Sequence, residues 1–154
     1  MIAIRPATDA DVAAMSEVLT ASIRDLCTAD HGNSPEILSR WTANKTEEGV
    51  RNMLANPDAR ALVAEVDGEV AAVGCLVGDS EVGLNYVHPR FRFRGVSRAL
   101  LKHMEAALRA AGVGEAALTS TLTAHRFYLA AGWEDAGPPQ DHSGMICQPM
   151  RKRL

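Results

Sequence analysis

At 154 residues the chain has the length of one ordinary domain, enough to bury a core without disulfides or metals. Hydrophobic residues make up 47% and charged residues 23%, as in an average globular protein, while only 5% are aromatic, so an aliphatic core is expected. The net charge of −3 argues against a general polyanion-binding surface, so nucleic acid is not an expected partner, and no run approaches the roughly 20 apolar residues of a membrane span.

Met1 leads straight into Ile2-Ala3-Ile4 and charged residues, without the pattern of a secretory leader. The cysteines Cys27, Cys75 and Cys147 form no CxxC pair. Reduced thiols, a cytoplasmic location and no bound metal are the expectation. Ile2 to Thr8 alternates and breaks at Pro6, like a first strand. Thr8 or Asp9 can cap a helix carrying Val12, Met15, Val18, Leu19, Ile23 and Leu26 at helical spacing. The polar cluster from Ala29 to Pro35 reads as a loop, with Pro35 in the first turn of a short helix holding Ile37, Leu38 and Trp41. A third helix starts at Thr46-Glu47-Glu48 and ends before Asn56-Pro57.

From Ala61 the period changes. Ala61–Val66, Glu69–Val77 and Glu81–His88 read as a three-stranded meander, turning at Asp67-Gly68 and Gly78-Asp79-Ser80. A long amphipathic helix follows from Gly95 to Ala111, with Leu100, Leu101, Met104, Ala107 and Leu108 on one face and Gly112 as its stop. Then come a strand from Glu115 to Thr121, a helix from Thr123 to Ala131, a strand beginning at Trp133, a loop at Gly137-Pro138-Pro139 and a last strand from Met145 to Leu154. No repeat or linker divides residues 1–154, and the order β-α-α-α-β-β-β-α-β-α-β-β indicates one α+β domain with a mixed, mostly antiparallel sheet.

The junction between the third meander strand and the long helix reads His88-Pro89-Arg90-Phe91-Arg92-Phe93-Arg94-Gly95-Val96-Ser97-Arg98. A helix N-terminus has free N–H groups and partial positive charge, so it favours an anion. Gly95 permits close backbone approach, the Ser97 hydroxyl is a donor, and arginines add charge-assisted bonds to phosphate. A phosphorylated ligand and a solvated, Arg-rich helix start are the two readings of this charge. Neither the Walker pattern nor GxGxxG is present.

Arg92-Phe93-Arg94-Gly95-Val96-Ser97 resembles the [R/Q]-x-x-G-x-[G/A] turn of the GNAT superfamily of N-acetyltransferases, with Ser97 where Gly or Ala is usual and Phe93 where many members have another Gly. Ala124, Phe127, Tyr128 and Gly132 match the family's A-x-x-F-Y-x-x-x-G-F pattern, with Trp133 for the final Phe. Thr121 stands where many relatives have Asn, and Met150 to Leu154 is similar to the last strand.

The resemblance implies a GNAT-like fold and transfer of an acetyl group from acetyl-CoA to a primary amine of a small molecule or peptide, by direct attack. A non-catalytic acyl-CoA-binding module of the same fold is the competing reading, motivated by Ser97 and Thr121. It further implies that the backbone of Tyr86 and Val87 pairs with the pantetheine arm, with His88 beside them. The N–H groups from Arg94 through Gly95, Val96 and Ser97 to Arg98 would hold the pyrophosphate, bordered by Arg92, and Thr121 would face the CoA arm. Tyr128 is the implied general acid, since a phenol with an ordinary pKa of about 10 can protonate a departing thiolate. Glu81, His88, Asp30 and His31 are the candidates for the base. Asn85 and Tyr86 alternate across the strand, so only one of them looks into the acceptor cleft. A homodimer is common among relatives.

Overall fold

The computed structural model describes residues 1–154. Strand β1 (Ile2–Pro6) leads through a short 3-10 turn into helix α1 (Val12–Leu26), then α2 (Thr28–His31), α3 (Pro35–Thr42) and α4 (Glu47–Ala55). The meander is β2 (Ala59–Val66), β3 (Glu69–Val77) and β4 (Glu81–Val87). Helix α5 (Val96–Ala110), strand β5 (Glu115–Ser120), helix α6 (His125–Ala130) and strands β6 (Glu134–Asp135), β7 (Gln140–His142) and β8 (Met145–Arg153) complete it. The sheet order is β1-β2-β3-β4-β5-β8-β6, with β7 paired to β8, and only the β4–β5 pair is parallel. The fold is therefore the α+β class with a mixed, mostly antiparallel sheet flanked by helices. No helix is long and apolar enough to cross a membrane.

Two elements depart from the sequence expectation. The loop at Ala29 to Pro35 begins as the one-turn helix α2, closed by Gly32 in the left-handed region. The expected last strand is the second arm of a hairpin, in which Ser143 and Gly144 both have positive φ, as a two-residue turn requires.

The core divides by face. Leu100, Leu101, Met104 and Leu108 of α5 pack one side of the sheet with Leu62, Ala64, Ala72 and Leu118. Val12, Met15, Val18 and Leu19 of α1 cover the other with Val63 and Val73. Alternation along β4 sends Asn85, opposite Gly74, to the α5 face and Tyr86, opposite Val73, to the α1 face. A Cβ on Gly74 would lie 3.1 Å from Leu100, which shows how closely α5 lies against the sheet.

Candidate active site

The site begins with a break in the sheet. Parallel pairing of β4 with β5 covers only Glu81 with Ala117 and Val82 with Leu118. Beyond it the strands separate, so the β5-facing edge of β4 from Gly83 to Val87 loses its strand partner. A bulge prepares this separation: opposite β3, Leu84 faces Cys75 and Val82 faces Leu76, which leaves Gly83 as the extra residue. A bulge strengthens local twist and turns the strand away from its neighbour. The close packing there admits no larger side chain, since a Cβ on Gly83 would approach Val77 to 2.5 Å.

The opening is a cleft of about 560 Å³, within the size range of small-molecule sites. It runs between β4 and β5 to the start of α5. That helix has no side-chain cap, and its first hydrogen bond joins Ala99 N–H to Gly95 O, so the N–H groups of Val96, Ser97 and Arg98 point out of its end. Phe93 and Gly95 both lie in the left-handed region, at φ +65° and +75°. The loop thus keeps its shape although Phe93 occupies a position that glycine would hold with less strain. Arg90 is committed to Glu69 at 3.0 Å, whereas Arg92, Arg94 and Arg98 enter no ion pair within the chain.

Of the residues anticipated from sequence, Tyr86, Val87, Arg92, Gly95, Val96, Ser97, Arg98, Thr121 and Tyr128 line this one cleft. Two border it without lining it. Arg94 holds its guanidinium 5.4 Å from the Phe91 ring centroid. His88 accepts the Arg90 N–H on Nδ1 at 3.1 Å and sets Nε2 3.8 Å from Glu17. Thr121 Oγ1 accepts the Ala124 N–H at 3.2 Å and so shapes the turn into α6. Tyr128 is buried on that helix among Phe127 and Trp133. Burial pushes its phenol up to about 12, against a smaller opposing effect of the Asn85 amide. The phenol therefore stays protonated throughout the neutral range, as a proton donor must.

The candidate bases are dispersed or engaged. Glu81 lies at the far end of β4, in the wall of a second cavity. His31 is buried, with Nε2 2.9 Å from Ile23 O and Nδ1 accepting the Asn33 N–H at 2.9 Å, so both ring nitrogens are engaged and tie α2 to the end of α1. Asp30 accepts from Leu122 N–H at 2.7 Å, Thr123 N–H at 3.2 Å and the Thr123 hydroxyl. It joins α2 to the turn before α6. Cys27 also lines the cleft, but burial and the nearby Asp30 charge push its thiol up to about 12, which disfavours a thiolate nucleophile.

Sequence reasoning missed Glu105. The Trp133 indole N–H donates to it at 3.0 Å, and Lys152 Nζ lies 2.8 Å from its other oxygen and 2.7 Å from Ala131 O. An indole in place of the usual Phe brings a buried N–H, and that need for a partner was the available signal.

The profile of the acetyltransferase (GNAT) domain matches residues 27–154. An Azospirillum brasilense protein named IAA acetyltransferase is 37% identical over 93 residues, which is 55% of this chain and 61% of that protein, under two thirds of its length. A GCN5-related N-acetyltransferase structure from Rhodopseudomonas palustris superposes with TM-score 0.87 at 24% identity, covering 99% of this chain and 95% of that one. The PaiA N-acetyltransferase of Thermoplasma acidophilum, in complex with coenzyme A, superposes with TM-score 0.80 at 20% identity, covering 100% and 99%. At these identities the two structures speak for the fold.

Proposed function

The chain belongs to the GNAT acetyltransferase family, and from that premise we propose that it moves an acetyl group from acetyl-CoA to a primary amine of a small molecule or peptide by direct attack. The observation that carries this reading is the separation of β4 and β5 over a cleft that ends at the uncapped start of α5. The two parts suit the two parts of the donor. Free backbone groups along Gly83 to Val87 are suited to the amides of a pantetheine arm, and the N–H groups of Val96 to Arg98 with Arg92 and Arg98 to a pyrophosphate.

The remaining residues supply what acyl transfer asks of a protein. The strand edge holds the thioester carbonyl where a backbone N–H can polarise it. Tyr128, protonated and buried at the same cleft, delivers a proton to the sulfur as the C–S bond breaks and the new N–C bond forms. The amine nitrogen in turn gives up one proton to solvent, and solvent returns one to the Tyr128 phenolate, so the phenol is restored. With the Cys27 thiol held protonated, transfer through an acyl-cysteine is disfavoured, which supports direct attack.

The test is release of free thiol from acetyl-CoA with a panel of primary amines, beside calorimetry with CoA and with ADP. Turnover with at least one amine, and CoA binding tighter than ADP, are expected. CoA binding without turnover would make the chain an acyl-CoA-binding module. Equal binding of ADP would make it a plain nucleotide-phosphate site.

A further inference from the structure

Asn85 Oδ1 is fully buried and has no hydrogen-bond partner, the one such side-chain atom in the chain. Buried acceptors are almost always satisfied, and leaving one bare costs about 1–3 kcal/mol. Its location gives the cost a meaning. Asn85 lines the cleft on β4, two residues past the bulge, and its side chain lies on the same face as Tyr128. The Asn85 amide also acts on the Tyr128 phenol, lowering it against the larger effect of burial. One side chain thus lines the cleft on the face of the implied acid and carries an acceptor that nothing in the chain satisfies.

The surroundings restrict what meets that carbonyl. Val82, Val87, Phe91, Val96 and Phe127 line the same cleft, and its only charged side chains, Arg92 and Arg98, belong to the α5 end. No donor of the chain meets that carbonyl, which leaves a ligand in the cleft to supply its partner. From this we infer that Asn85 is a substrate-binding residue whose Oδ1 accepts an N–H from the reactants. That N–H belongs either to an amide of the donor's pantetheine arm or to the attacking amine. The assignment rests on the acyl-transfer reading above.

Asn85→Val removes both polar atoms at nearly constant volume. Its thermal midpoint stays equal to or above that of the parent, because an unsatisfied acceptor is lost. Its kcat/KM falls about tenfold or more, in the range of a lost buried hydrogen bond. Asn85→Asp keeps an acceptor at Oδ1 and recovers at least threefold of that loss. Calorimetry with CoA separates the two sources. A pantetheine N–H weakens CoA about tenfold in Asn85→Val and leaves the amine's KM unchanged. An amine N–H leaves CoA within twofold while kcat or the amine's KM moves.

The inference is overturned if Asn85→Val keeps kcat/KM and both affinities within twofold, or if Asn85→Asp performs no better than Asn85→Val. If the parent protein itself neither binds CoA nor transfers acetyl, the acyl-transfer reading fails, and the assignment of Asn85 falls with it.

Discussion

Helix α5 carries two polar regions that treat their hydrogen bonds in opposite ways. Two turns into the helix, Glu105 is saturated, with the Trp133 indole on one oxygen and Lys152 on the other. At its first turn, three N–H groups point outward, three arginines have no carboxylate, and Asn85 nearby keeps a bare carbonyl. The saturated cluster ties α5 to β8 and to the end of α6, and so it serves the fold. The unsaturated one leaves polar groups that water or a ligand can meet, which is what a binding site requires.

The largest expected effect breaks the saturated side. Glu105→Ala leaves the Trp133 N–H without its partner and Lys152 with only the Ala131 carbonyl, and lowers stability by about 3 kcal/mol. That is the low end for a broken buried pair, because Lys152 retains 22% exposure and can rehydrate. Urea unfolding measures it. Activity per folded molecule changes little if the two regions are independent.

On the unsaturated side, Tyr128→Phe lowers kcat about 100-fold with little change in the thermal midpoint. With the phenol held near 12, the parent shows no decline from this group below about pH 11 in a pH–rate profile. A falling limb near pH 9 that disappears in Tyr128→Phe would show a different protonation state from the one assigned here.

Phe93→Gly sharpens the contrast at smaller scale. It relieves about 1–2 kcal/mol of left-handed strain, offset in part by the greater unfolded-chain freedom of glycine, so a gain of about 0.5–1 kcal/mol in urea is expected. An effect of similar size lies on the opposite edge of the sheet, where Arg5 hydrogen-bonds Asp11 and holds its carboxyl down at about 2. An unfolded Asp titrates near about 3.9, so this contribution is complete above pH 4 and disappears as the pH falls toward 2. Asp11→Asn costs about 1 kcal/mol at pH 7 and nothing extra near pH 2, read from urea midpoints at the two pH values.

The long helix, the meander and the Arg92–Ser97 turn were legible because each is a local pattern of period, turn or charge. The cleft between β4 and β5 was not. It arises from a register shift at Gly83, and register depends on both strands, so no window of β4 alone reveals it. The β7–β8 hairpin did have a local sign, Ser143-Gly144, which passed unread beside the Pro138-Pro139 loop. Asp30 and His31 are candidate bases by their chemistry alone. Their hydrogen bonds instead reach residues far along the chain or inside the core, and such partners come into view only with the fold.

On the proposed function, a CoA thioester occupies the opening between β4 and β5. Backbone hydrogen exchange with and without saturating CoA tests it most directly. With CoA bound, exchange slows within Gly83 to Val87 and at Val96 to Arg98, with no change in the strand β1 and Asp11 region. Protection confined to other segments, or none at saturating CoA, would contradict it.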